Sequence, residues 1–138
     1  MPNAIIRVVA AVIAREGKYL ITQRRDGAVL PNLWEFPGGK VEPGESDETA
    51  LRREVRERLG VDVRVDTKAA ERHHKYDGYD VHLTLYDCHL DLGVHPQALK
   101  VQDLRWVTSS EFGEYRFPPA DQATMDKLLG LETWQPKR

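Results

Sequence analysis

The stretch from Gly38 to Val61 constrains this chain more than any other part of it. It joins a double glycine, Gly38-Gly39, to one strongly patterned helix. Leu51, Val55 and Leu59 recur every four residues, which lines up a single apolar stripe at helical spacing. Ser46 stands where an N-cap belongs, and Asp47 and Glu48 follow it to complement the positive end of the helix dipole. Gly60 comes where a helix commonly ends in a left-handed residue. A helix with one apolar stripe needs a sheet or another helix to lie on, so the rest of the chain must supply that surface.

The remaining pattern predicts mostly strands. Residues 5–14 are rich in β-branched side chains and read as a strand buried on both faces. Glu16-Gly17-Lys18 reads as a turn into a second strand over 19–23. A loop follows over 26–32, then a short apolar strand over 33–36 that Pro37-Gly38-Gly39 ends. Beyond the helix over 46–59, strands are expected at 61–65, around 69–74, over 81–90 and over 104–107. In the 81–90 strand, Val81, Leu83 and Leu85 fall on one face, and His82, Thr84, Tyr86 and Cys88 on the other. Residues 109–112 open a helical turn, 121–129 form a second helix, and Trp134 to Arg138 read as a frayed tail. The expected fold class is α/β, a mixed β-sheet sandwiched between α-helices, as a single domain over 1–138.

Composition excludes several function classes. A net charge of −2 lacks the basic excess of a duplex nucleic-acid binder. One cysteine, Cys88, makes no internal disulfide, and it reads as a small packed residue. No apolar run approaches the ~20 residues that cross a bilayer. The stretch Met1-Pro2-Asn3-Ala4 lacks a basic region followed by an apolar one, so a cytoplasmic location is expected. His73 and His74 are adjacent and point to opposite faces of a strand, and no four closely placed ligands suggest structural zinc.

The chemistry concentrates around the glycines. On a helix, Glu54 and Glu57 lie about 60° apart and share one face at the edge of the apolar stripe. Two carboxylates on one rigid face can hold a hard cation such as Mg²⁺, and a carbonyl at the glycine bend can add a third oxygen. Such an ion neutralises phosphate oxygens. The segment resembles the Nudix box: Gly39, Glu45, then Arg53-Glu54-Val55-Arg56-Glu57-Arg58-Leu59-Gly60-Val61, with eight of the nine fixed positions matched. Leu33-Trp34-Glu35-Phe36-Pro37-Gly38-Gly39-Lys40 and Phe117-Pro118-Pro119-Ala120-Asp121 are similar to the MutT-type branch, which cleans or controls nucleoside triphosphate pools.

The resemblance implies roles residue by residue. Glu54 and Glu57 would belong to a Mg²⁺ site, Mn²⁺ being an alternative, together with the Gly38 carbonyl. Glu54 would also act as base toward the attacking water. Arg53 would brace the box on Glu45. Arg24 and Lys40 would contact phosphates, Gly39 would let the backbone approach substrate, and Phe36 would border the base pocket. Asp121 would either read a base edge rich in N–H donors or cap the last helix, and the two roles can coexist. Apart from the resemblance, Trp34, Trp106 and Trp134 read as packing residues, and Trp34, beside the glycine bend, is the one of the three placed best to touch a ligand.

The pattern is broken at Arg58, which replaces a glutamate of the box and lies about 40° round the helix from Glu54. Lys100 stands where some members of the branch carry a further acid. Three outcomes follow: Glu42, Glu45 or another acid substitutes as ligand, metal affinity is weak, or the domain binds nucleotide without hydrolysing it efficiently. The leading expectation is Mg²⁺-dependent hydrolysis of a nucleoside triphosphate, with 8-oxo-dGTP or a cytidine-type triphosphate as candidates, to monophosphate and pyrophosphate. The alternative is a catalytically weak nucleotide-binding module. A third reading, hydrolysis of another diphosphate such as ADP-ribose, fits the 117–121 segment less well. The expected partner is the nucleoside polyphosphate, with no duplex nucleic acid and no membrane, and monomer and homodimer are both open.

Overall fold

The computed structural model describes residues 4–130. The expected tail at Trp134 to Arg138 lies outside them, as do Met1, Pro2 and Asn3. In chain order the elements are β1 (Ala4–Arg15), β2 (Lys18–Gln23), β3 (Trp34–Glu35), β4 (Gly38–Lys40), α1 (Asp47–Leu59), β5 (Arg64–Tyr76), β6 (Tyr79–His89), β7 (Asp103–Val107), a 3₁₀ turn (Ser109–Glu114) and α2 (Gln122–Leu128).

Strand β1 organises the sheet. It runs parallel to β6 from the pair Ala4 and Tyr79 to the pair Ile13 and Cys88. It turns antiparallel into β2 at Arg15 and Lys18, and its middle pairs antiparallel with β4. β5 closes one edge against β6, while β2 carries β3 and β7. Parallel and antiparallel pairings in one sheet make it mixed, as expected.

Alternation along the strands decides which helix each residue meets. Val9, Ala11 and Ile13 of β1 join Ala50, Leu51, Val55 and Leu59 of α1 in one buried cluster that includes Cys88. Ile6 and Val8, on the opposite face, pack with Val81 and with Met125 and Leu129 of the α2 region. The sheet is therefore covered on both sides. Burying one aliphatic core side chain contributes roughly 1.5–3 kcal/mol, so the α1 stripe alone accounts for several kcal/mol of favourable burial. α2 is short and is also tied by polar contacts: Tyr79 donates to Asp126 at 2.6 Å, and the Gln122 side chain accepts from the Asp77 backbone at 2.8 Å.

The ends of α1 follow the sequence. Ser46 Oγ accepts from Thr49 N at 3.1 Å, and Gly60 closes the helix at φ 70° with its N–H donating to the Arg56 carbonyl. Two readings are corrected. Pro37-Gly38-Gly39 does not simply stop a strand, because Gly38–Lys40 pairs with β1. The backbones come so close there that a Cβ at Gly38 would lie 2.0 Å from the Val9 carbonyl oxygen. The expected strands at 61–65 and 69–74 are not separate: one strand, β5, starts only at Arg64, bends at register shifts between Val65, Lys68 and Ala70, and runs on to Tyr76. Val61 and Val63 are buried ahead of it without joining the sheet.

Candidate active site

The site is built where α1 lies across β4. Glu45, just before the helix, forms a two-point ion pair with Arg53: Nε to Oε2 is 2.8 Å and Nη2 to Oε1 is 2.9 Å. Glu45 Oε1 also accepts from the Glu42 backbone N–H at 2.9 Å, and Arg53 Nη2 donates to the Lys40 carbonyl at 3.2 Å. The Arg53 hydrogen bonds, reinforced by the Glu42 N–H, hold the Glu45 carboxyl down to about 2. This brace ties the loop over residues 40–45 to the helix.

Glu54 points from the braced helix onto β4 and is only 9% exposed. A Cβ at Gly39 would meet its Oε2 at 2.0 Å, so the carboxylate occupies space that only a glycine leaves open. Arg53 Nη1 lies 3.7 Å from Glu54 Oε2, and Arg58 Nε lies 3.3 Å from Oε1. Arg58 reaches on to Glu35, with Nη1 at 3.6 Å from Oε2. Arg24 approaches the other oxygen of Glu35 at 3.4 Å, while its Nε donates to the Val29 carbonyl at 2.7 Å. The result is an alternating chain, Arg24, Glu35, Arg58, Glu54, Arg53.

Glu35 received no role from the sequence. β3 places it opposite Thr22, whose hydroxyl donates to the Glu35 carbonyl at 3.4 Å. Burial raises its carboxyl above the ordinary value, against the opposing pull of Arg24 and Arg58. A carboxylate set between Trp34 and Phe36 in an apolar run is the signal that could have found it, since an acid in such a run is buried at a cost unless paired.

Two cavities meet at this chain. One, of about 280 Å³, is polar and lined by Arg24, Arg25, Ala28, Glu54, Glu57, Arg58, Lys100 and Val101. The other, of about 530 Å³, is largely apolar. Phe36, Leu83, Leu85, Phe117, Pro118, Pro119 and Met125 form its walls, and Gly38, Gly39, Lys40, Arg24, Glu54 and Arg58 form the side facing α1. Phe36 is held edge-on by Phe112 at 5.7 Å and lies 5.8 Å from Phe117. A ligand with a flat apolar end and an anionic end fits such a pair of cavities.

The structure brings together Arg24, Phe36, Gly38, Gly39, Arg53, Glu54 and Glu57 around the two cavities. Lys40 lines the apolar cleft, but its Nζ donates to the Leu129 carbonyl at the end of α2, at 3.2 Å. Asp121 caps α2 by accepting from Thr124 N at 2.8 Å, next to Ala120 on the cleft wall. Those hydrogen bonds from Thr124 lower its carboxyl below the ordinary range. Trp34 packs edge-on against Tyr115 at 5.0 Å and lines neither cavity. Cys88 is buried, and burial pushes its thiol up to about 12, which suits a packing residue. His73 stacks on His82 across the β5–β6 pair, with ring centroids 3.9 Å apart.

Two carboxylates and a glycine bend are the oxygen donors that a hard cation would meet here. Glu54 and Glu57 line the same polar cavity, and the backbone at Gly38 and Gly39 borders the adjoining cleft beside Glu54. Arg58 and Lys100 share that cavity, and among the described residues no three acidic, histidine or cysteine side chains form a ligand group.

Known proteins share this arrangement of elements. The NUDIX domain profile matches residues 8–127. The chain is 38% identical to the CTP pyrophosphohydrolase of Escherichia coli strain K12 over 135 residues, covering 96% of this chain and 97% of that one. It is 38% identical over 127 residues to a putative 8-oxo-dGTP diphosphatase 2 of Mycobacterium tuberculosis, covering 88% and 86%. Among solved structures, the solution structure of the E. coli ORF135 protein superposes with a TM-score of 0.73 at 37% identity, over 99% of this chain and 96% of that one.

Proposed function

The chain belongs to the NUDIX family, and on that premise we propose that it hydrolyses the anhydride of a nucleoside triphosphate, releasing the monophosphate and pyrophosphate in the cytoplasm. One observation carries this reading: a buried carboxylate, Glu54, is seated on Gly39 between a braced helix and an aromatic-walled cleft. The relatives named for CTP and 8-oxo-dGTP support a triphosphate substrate, and make a cytidine-type or oxidised guanine nucleotide the candidates.

Phe36 and Phe117 would hold the base in the apolar cleft, with the triphosphate directed toward Arg24 and Arg58. Asp121 would add hydrogen-bond acceptance toward a base edge bearing N–H groups, while still capping α2. Glu54 and Glu57, with the Gly38 carbonyl, would hold a single Mg²⁺, for which Mn²⁺ could substitute. Bound there, the ion supplies charge neutralisation at phosphate oxygens. Glu54 takes the proton as the water oxygen bonds to phosphorus, the anhydride P–O bond breaks, and pyrophosphate leaves. Arg53 holds the helix so that Glu54 keeps its direction.

A second reading, a catalytically weak nucleotide-binding module, rests on Arg58 standing 3.3 Å from the Glu54 carboxylate. The test is pyrophosphate release from a panel of nucleoside triphosphates, with and without Mg²⁺ or Mn²⁺. Metal-dependent release that drops at least ~100-fold in Glu54→Gln supports the enzyme with Glu54 as base. Nucleotide binding without turnover leaves only the binding module, and near-normal turnover in Glu54→Gln removes Glu54 from the role.

A further inference from the structure

We propose that the polar cavity at the C-terminal end of α1 is a metal-independent polyphosphate site, in which Arg58 and Lys100 grip the oxyanion directly. The proposal rests on the triphosphate reading above, and it assigns Arg58 and Lys100 a task that acidic side chains at the same positions could not perform.

The backbone builds this site deliberately. Leu99 N and Lys100 N both donate to the Arg58 carbonyl at 3.1 Å, and Gln97 N donates to the Leu59 carbonyl at 2.9 Å. Gln102 N then donates to the Gln23 carbonyl at 2.8 Å, so the same loop is tied to the end of β2 that carries Arg24 and Arg25. These bonds answer carbonyls that the helix end leaves without partners. They also set Lys100 beside Arg58 and opposite the two arginines.

Charge points the same way. Four cationic side chains line a cavity that contains two carboxylates, Glu54 and Glu57. Arg24 and Arg58 are partly offset by Glu35, which leaves Arg25 and Lys100 with no carboxylate partner among the described residues. Arg58 is anchored on two sides, Nε to Glu54 and Nη1 to Glu35. A guanidinium has five N–H donors in a fixed fork, so an anchored one still presents N–H groups to an anion and loses little freedom in binding it. The cavity, at about 280 Å³, exceeds the volume of nine separate waters at about 30 Å³ each, so the more closely bonded atoms of a pyrophosphate have room in it.

The experiment titrates inorganic pyrophosphate into the whole chain by calorimetry, in EDTA and at low salt, because screening weakens exposed charge pairs. The expected result is saturable binding without metal, weakened at least about tenfold in Arg58→Ala and in Lys100→Ala, as loss of a charge-assisted hydrogen bond predicts. Arg58→Glu should weaken it further. Lys100 is exposed, so its variant tests the site even if loss of Arg58 unsettles Glu35 and Glu54. No binding in EDTA, or binding that Lys100→Ala and Arg58→Ala leave unchanged, overturns the proposal. Turnover of nucleotides in Mg²⁺ is read separately: hydrolysis without metal-free pyrophosphate binding defeats this inference alone, and pyrophosphate binding without hydrolysis defeats the catalytic reading alone.

Discussion

Replacing Gly39 by alanine should disable the site while sparing the fold. A Cβ there would lie 2.0 Å from Glu54 Oε2, 2.6 Å from its Cδ and 3.1 Å from its Cγ. Non-bonded heavy atoms rest at about 3.5–4.0 Å, so the Glu54 carboxylate must retreat by more than 1 Å. The obstacle is the far end of a flexible side chain rather than backbone. Strain should therefore stay near the lower end of overpacking costs, about 1–3 kcal/mol, or a few degrees in Tm. Catalysis is less forgiving, since a displacement of about 1 Å can cost on the order of 100-fold in rate. The assay is steady-state pyrophosphate release beside a thermal melt, for Gly39→Ala, Glu54→Gln and the double variant. If the alanine acts through Glu54, the double variant is little worse than Glu54→Gln, because the two changes remove one function. Wild-type turnover in Gly39→Ala, or losses that multiply in the double variant, would refute the reasoning.

Three further outcomes follow from packing and charge. Glu45 has a folded-state value near 2, below its ordinary value of 4.5, so its contribution is present above about pH 4.5 and is lost as pH falls toward 2; the Tm gap between wild type and Glu45→Gln should narrow over that window, and a gap that widens on acidification would contradict the sign. Leu51 is fully buried in the α1 stripe, so Leu51→Ala should cost about 2–5 kcal/mol in urea unfolding, and a loss under about 1 kcal/mol would mean that the helix is not seated as described. Cys88 should resist a thiol reagent at pH 8 until denaturant is added, because burial raises its thiol to about 12; stoichiometric labelling of the folded chain within minutes would show an open thiol.

Much of the site was legible because its determinants are local. Ser46, the spacing of Leu51, Val55 and Leu59, and Gly60 set the ends and the buried face of α1 within one segment. The pairing of Arg53 with Glu45 spans eight residues and was implied by the resemblance to the Nudix box rather than by periodicity. The alternation of 81–90 likewise announced two faces, and the α1 and α2 clusters use them. β4 was missed because a glycine pair carries no periodicity, and a strand of three residues exists only where β1 offers it a partner. β5 was divided because its register shifts interrupt the alternation on which sequence reading depends.

Sequence alone determined the helix, since caps and periodicity act between near neighbours along the chain, and the resemblance to the Nudix box supplied the Arg53–Glu45 brace and marked Arg58 as a departure. The contact of Arg58 with Glu54 spans one helical turn and lies within reach of the sequence, but only the tertiary structure decided what else stands around Arg58. Glu35 arrives from a strand twenty-three residues earlier, and Lys100 from a loop forty-two residues later. The Thr22 hydroxyl donates to the Glu35 carbonyl and the Lys100 backbone N–H donates to the Arg58 carbonyl, contacts that no periodicity along the chain encodes. Charge pairing falls off over a few ångströms in space with no regard for sequence separation, so it could be assigned only after the sheet and the helix had brought those segments together.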